Sequence, residues 1–152
     1  MVVILDATEG DLAKIYEIEV QSFDQPYSLK LLKAYLFLSE GLYIVAKEHD
    51  EILGYAIGLI QNRFKGHVIS IATARGARRK GIGSALLQEL NSRFVSMGST
   101  YSYLEVEVKN RDAISFYSHN KYHISYTRRN YYGKNRHAFI MIKLLKGNYD
   151  LD

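Results

Sequence analysis

The chain has 152 residues, 47% of them hydrophobic and 24% charged, which is enough apolar material for one folded core and too little length for two full domains. Twenty basic and sixteen acidic residues leave a formal charge of +4, ordinary for a solvated surface and too small to demand a nucleic-acid partner. Cysteine is absent, excluding disulfides, thiolate metal sites and any mechanism that parks a group on sulfur. The longest apolar run, 52–60, falls short of the roughly 18–20 residues a membrane helix needs. Residues 2–5 run straight into Asp6 with no basic leader and no small-residue cleavage site. These features predict a single domain over 1–152 in the cytoplasm, with no metal and no membrane contact.

In chain order, residues 2–5 read as an opening strand. Thr8 with Asp11 resembles a capping box before Leu12, Ile15, Tyr16 and Val20 at helical spacing, and that helix should end near Phe23. Ser28 is placed to cap a second helix through Leu31, Leu32, Tyr35 and Leu36, with Gly41 to terminate it. Residues 42–47 and 52–61 read as a hairpin joined by His49-Asp50-Glu51, and 67–73 as a third strand of the same sheet. Ile82, Ala85, Leu86, Leu90 and Phe94 make one apolar stripe on a helix over 81–97, and 101–108 alternates as a strand. Asn110 can cap a short helix carrying Ala113, Ile114, Phe116 and Tyr117, after which 122–129 and 137–144 form a closing hairpin around Gly133. The only proline, Pro26, falls in a loop, and no repeat or linker interrupts the chain. The order β-α-α-β-β-β-α-β-α-β-β places the fold in the α/β (α+β) class.

Arg78-Arg79-Lys80-Gly81-Ile82-Gly83-Ser84 lies between a predicted strand and a predicted helix. Its backbone N–H groups therefore converge beside the positive end of a helix dipole, with basic side chains at hand, which is the make-up of an anion site. No Gly-x-x-x-x-Gly-Lys-Ser/Thr loop is present, and Leu86 stands where a dinucleotide loop would have its third glycine.

Arg78-x-x-Gly81-x-Gly83, following the strand His67-Val68-Ile69-Ser70-Ile71-Ala72-Thr73, resembles the acetyl-CoA motif of the GNAT acetyltransferase superfamily. Asn110-x-x-Ala113-Ile114-x-Phe116-Tyr117 looks like the same superfamily's Asn-x-x-Ala-x-x-x-Tyr helix, and the resemblance extends over essentially the whole chain. It implies the GNAT fold, a mixed central sheet of about seven strands with about four helices. It also implies acetyl-CoA as co-substrate. Ile71, Ala72 and Thr73 would lie along the pantetheine, and Arg78, Arg79, Lys80, Gly81, Ile82, Gly83 and Ser84 would surround the pyrophosphate. Asn110 and Tyr117 complete that set, with the Tyr117 phenol as general acid to the departing thiolate.

Within the superfamily, Glu19-x-x-x-Phe23-x-x-Pro26-Tyr27-Ser28 is similar to the peptide-contacting turn of the N-terminal (Nα) protein acetyltransferases. Tyr131-Tyr132-Gly133 followed by Ala138-x-x-Met141 looks like that branch's Tyr-Tyr segment, and residues 66–72 resemble RimI-type members. Glu19, Phe23, Pro26, Tyr27, Tyr131 and Tyr132 are thereby the implied substrate contacts. The pattern breaks at Gln61, where the family often has a glutamate, because an amide cannot serve as a base. His67, Glu105 and Glu19 are the alternatives, and an imidazole, titrating near 6.5, suits a base working near neutrality. The expected activity is direct transfer of acetyl from acetyl-CoA to the α-amine of a protein or peptide in a ternary complex, with ribosome association or an auxiliary subunit compatible. Three other readings stay open: a GNAT enzyme of small amines or lysine side chains, a CoA-binding regulator without turnover, and a ribosome- or RNA-associated module using the basic groups at 75–80 and 128–136. The last lacks an RNA-binding motif, so nucleic acid ranks low among partners.

Overall fold

The computed structural model describes residues 1–78 and 80–145. In chain order it contains β1 (Val3–Asp6), α1 (Leu12–Ser22), α2 (Leu29–Leu38), β2 (Tyr43–Glu48), β3 (Glu51–Gln61), β4 (Lys65–Thr73), α3 (Ile82–Ser96), β5 (Tyr101–Glu107), α4 (Arg111–His119), β6 (His123–Arg128) and β7 (Ala138–Leu144). Short 3-10 turns at Glu9–Asp11 and Arg75–Ala77 precede α1 and α3. The order is the one read from the sequence, and the strands form one mixed seven-stranded sheet, β1-β2-β3-β4-β5-β7-β6. No helix among the described residues is long and apolar enough to cross a membrane. The chain divides into two compact units: Met1–Leu59 with Val68–Phe94, and Ile60–His67 with the described residues from Val95 onward.

In the first unit the Thr8 amide and hydroxyl donate to the Asp11 carboxylate at 2.9 and 3.2 Å, and Lys47 pairs with its other oxygen at 3.0 Å. This fixes the entry to α1. Ser28 Oγ accepts from the Leu31 amide at 3.1 Å and starts α2. That helix stops at Leu38, short of Gly41, because Ser39 leaves helical geometry at φ −115° and ψ 38° while its amide still bonds the Tyr35 carbonyl at 2.8 Å; Gly41 instead supplies a φ of 79° in the turn that follows. His49 and Asp50 both take positive φ, 52° and 66°, forming a two-residue turn of the kind whose twist matches a hairpin. Glu51 therefore belongs to β3, opposite Glu48.

Leu12, Ile15 and Ile18 of α1 and Leu32 of α2 pack with Tyr43, Val45, Tyr55 and Ile57 of β2 and β3. Each such side chain contributes about 1.5–3 kcal/mol when fully buried. α3 buries Ile82, Leu86, Leu87, Leu90 and Phe94, and its close approach to β3 depends on a missing side chain. A Cβ at Gly58 would stand 2.7 Å from the Phe94 ring.

In the second unit β4 runs parallel to β5 in the register Lys65↔Tyr101, Gly66↔Ser102, His67↔Tyr103. β5 alternates strictly, burying Ser102, Leu104 and Val106 and leaving Tyr101, Tyr103 and Glu105 on the other face. β7 lies between β5 and β6, antiparallel to both. Asn110 Oδ1 accepts from the Ala113 amide at 3.2 Å and caps α4.

Candidate active site

The first unit carries the predicted anion site. Gly81, with φ 78° and open space where a Cβ would be, turns the chain into α3; it is the backbone angle, not crowding, that selects glycine there. Ile82 is buried in the core, while Gly83 and Ser84 are half-buried in the first turn, at the positive end of the α3 dipole. Arg78 and Lys80 flank the turn and are exposed; Arg79 lies outside the described residues. A helix N-terminus flanked by two exposed cations is a donor set suited to a diphosphate. On β4, Ala72 is buried while Ile71 and Thr73 are half-buried on the opposite face.

Glu19 is almost wholly buried, at 2% exposure, on the last turns of α1. One carboxylate oxygen accepts from the Tyr55 hydroxyl and from Ser70 Oγ at 3.2 Å, and the other from the Tyr27 amide at 2.9 Å. Burial and the Glu19 charge push the Tyr55 phenol far above its usual range. The structure thus joins Glu19 to Tyr27, whose ring tilts against Tyr35 at 6.1 Å, whereas Phe23 and Pro26 stand exposed beside them. Sequence reasoning missed Tyr55 and Ser70 as partners; one signal was available, since a carboxylate on a buried helix face needs donors.

The second unit brings two of the three candidate bases together. His67 Nε2 lies 2.8 Å from Glu105 Oε1, both side chains being only 15% and 12% exposed. Gln61 Nε2 approaches His67 Nδ1 at 3.5 Å. This arrangement suits the neutral tautomer that donates from Nε2 to Glu105 and keeps the Nδ1 lone pair as acceptor. The imidazole stacks on Tyr103, with ring centroids 4.4 Å apart and 9° between planes, because the two are opposite in the β4–β5 register. Tyr103 was not among the sequence candidates, although its place two residues before Glu105 puts both on one strand face. Burial, followed by the Glu105 charge, pushes the Tyr103 phenol up to about 12.

Tyr117 projects from α4, with its ring edge against Tyr122 at 5.8 Å; the buried Tyr122 hydroxyl is in turn bonded to Ser102 Oγ at 2.7 Å. Burial raises the Tyr117 phenol above its usual range, and proximity to Tyr122 and Tyr132 raises it further. It is a protonated hydroxyl at any neutral pH. The loop 129–137 carries Tyr131 and Tyr132, packed edge to face at 4.9 Å. A bidentate pair from Arg136 to Glu107, at 2.9 and 2.7 Å, ties that loop to β5 and holds the Glu107 carboxyl below its usual value. Among the described residues no cluster of three His, Asp or Glu could hold a metal.

The profile of the Acetyltransferase (GNAT) family matches residues 12–122. An uncharacterized N-acetyltransferase, MJ1530, of Methanocaldococcus jannaschii is 31% identical over 142 residues, covering 93% of this chain and 90% of that protein. An N-alpha-acetyltransferase of Sulfurisphaera tokodaii is 31% identical over 153 residues, covering 91% and 90%. The crystal structure of Ard1 from Thermoplasma volcanium superposes with a TM-score of 0.90 at 24% identity, over 95% of this chain and 97% of that one. With the Gly81 turn into α3, the Asn110-capped α4 and the seven-stranded sheet, these similarities establish that the chain belongs to the GNAT acetyltransferase family.

Proposed function

We propose that this protein transfers acetyl from acetyl-CoA to the N-terminal α-amine of proteins or peptides. The observation that carries the chemistry is the His67–Glu105 pair on the same unit as the Tyr117 phenol. The acceptor class is supported by the N-alpha-acetyltransferase relative and by the Phe23–Tyr27 and Tyr131–Tyr132 segments. The family profile draws on residues of both units, so the reading treats 1–152 as one catalytic domain.

Acetyl-CoA supplies, when bound, the thioester carbonyl that the amine attacks. The N-terminal turn of α3 from Gly81 to Ser84 and the Arg78 and Lys80 side chains would hold its pyrophosphate; Arg79, the third basic residue assigned to it by the resemblance, lies outside the described residues. Ile71, Ala72 and Thr73 would lie along its pantetheine, and Asn110 is a further residue that the resemblance assigns to the cofactor. An α-ammonium, with a reference pKa near 7.7–8.0, must lose a proton before it is a nucleophile. His67 Nδ1 accepts it, directly or through one water, once the Gln61 amide turns away from that nitrogen, while Glu105 holds Nε2–H and stabilises the imidazolium that forms. The Tyr117 Oη–H gives its proton to the leaving sulfur, and the second proton of the attacking nitrogen, shed as the amide forms, restores the phenol. Tyr131 and Tyr132 offer phenols to the peptide backbone. Glu19 acts here through Tyr27, fixing the segment that bears Phe23 and Pro26.

The test is transfer to a panel of peptides varied at the first two residues, with N-terminally blocked lysine peptides alongside, read by mass. Acetylation confined to free α-amines is expected; modification of lysines alone would overturn the acceptor class and leave the family standing. Tyr117→Phe and Glu105→Gln should each lower kcat by about 10²–10⁴, with acetyl-CoA affinity nearly intact. An unchanged kcat in either removes that residue from the mechanism.

A further inference from the structure

The sequence's charge is concentrated. Residues 108–145 contain eight lysines and arginines against one acid, Asp112, while the rest of the chain has a small acidic excess. Around the loop 129–137 this excess is not neutralised. Arg136 is engaged by Glu107, but Arg128, Arg129 and Lys134 are exposed, and among the described residues no ion pair holds any of the three. Arg128 lies over the face of the Tyr131 ring, 5.4 Å from its centroid, so one positive charge sits directly beside a residue assigned to the peptide.

The backbone of the loop that bears Arg129 and Lys134 is braced by hydrogen bonds. The Tyr132 amide donates to the Arg136 carbonyl at 3.0 Å, the Asn130 amide to His137 Nδ1 at 2.9 Å and the Asn135 amide to Asn130 Oδ1 at 2.9 Å. Three exposed cations, Arg128 at the end of β6 and Arg129 and Lys134 on the braced loop, are thus grouped with the segment that carries the two phenols. We infer that this loop selects acceptor peptides with aspartate or glutamate a few residues after the amine. The inference rests on the reading above, in which Tyr131 and Tyr132 hold the peptide. An extended peptide advances about 3.3 Å per residue, so side chains just beyond the first two or three positions come past a loop of this size. A nucleic acid is the weaker occupant, because neutralising about three phosphates gives a small counterion-release term. The same three charges suffice to rank peptides that the amine site already holds.

The experiment uses the full chain and three peptides that share the first three residues of the best acceptor and differ beyond them, in acidic, Ser/Gly or arginine-rich composition. At low ionic strength kcat/KM should fall in that order over a span of about tenfold, and the span should shrink to about twofold at about 0.5 M salt. The double variant Arg129→Glu with Lys134→Glu should reverse the order. Equal rates on the three peptides, or the same preference in the double variant, would overturn this inference while α-amine acetylation stands. Failure to acetylate any free α-amine would instead take down the functional reading and this inference with it. An unstructured RNA oligonucleotide bound by the wild type and released by the double variant, with peptide preference unmoved, would reassign the loop to nucleic acid. If the double variant does not fold, the peptide order and salt dependence of the wild type decide alone.

Discussion

Glu19 shows how one buried charge organises its surroundings. Its two oxygens satisfy two hydroxyls and a backbone amide from three separate segments, and their combined donation offsets the cost of removing a carboxylate from water. Glu19→Ala would leave the Tyr55 and Ser70 hydroxyls and the Tyr27 amide without an acceptor, and should cost about 3–5 kcal/mol in urea unfolding. Tyr55→Phe, which removes one donor and leaves the others, should cost only about 1–2 kcal/mol. Equal losses in the two variants would show that the carboxylate is not the hub. The motif around Phe23, Pro26 and Tyr27 was legible in the sequence, but this hub was not, since Tyr55 and Ser70 lie 36 and 51 positions away from Glu19. The same distance problem hid the pairing of His67 with Glu105, which are 38 apart: each was visible as a candidate, and only the β4–β5 register makes them neighbours.

Helices and strands were legible because their signals are local. Period, caps and turn residues gave every element within a residue or two, including Ser28 and Asn110 as caps. Strand neighbours are a different matter. That β7 inserts between β5 and β6 rests on antiparallel pairing with both strands, and no local period records which strands will pair. Close packing of elements is equally invisible to periodicity. Gly58 reads as one small residue in an apolar run, yet it is where Phe94 of α3 meets β3. Gly58→Ala should destabilise by about 1–3 kcal/mol, and adding Phe94→Leu should recover part of that loss through the shared contact. Strictly additive effects in the four-member thermal-denaturation cycle would show that the two residues do not touch.

At the scale of the molecule, stability should depend on pH at both ends for reasons fixed in the structure. The Tyr55 and Tyr117 phenols are raised above the usual value of 10.0. Their contribution is therefore complete below about pH 10 and lost as pH rises through the folded values. Glu107 is lowered from 4.5 by Arg136, so its contribution is complete above that value and lost as pH falls toward the folded one. Melting temperature should form a plateau that drops above about pH 10, with a fraction of the phenolate absorbance appearing only together with unfolding. A phenolate titration of all thirteen tyrosines in the still-folded protein would contradict the buried assignments. The open sheet has one further consequence. Its two outer strands are β1 and β6, and an exposed strand is a template for adding another chain. β1 is only four residues long and ends at Asp6, which is paired with Arg93. β6 carries a register irregularity between Ile124 and Tyr126 and ends on exposed Arg128. Among the described residues, shortness guards one outer strand, and a register irregularity with a terminal positive charge guards the other, so neither is a good template for edge-to-edge aggregation.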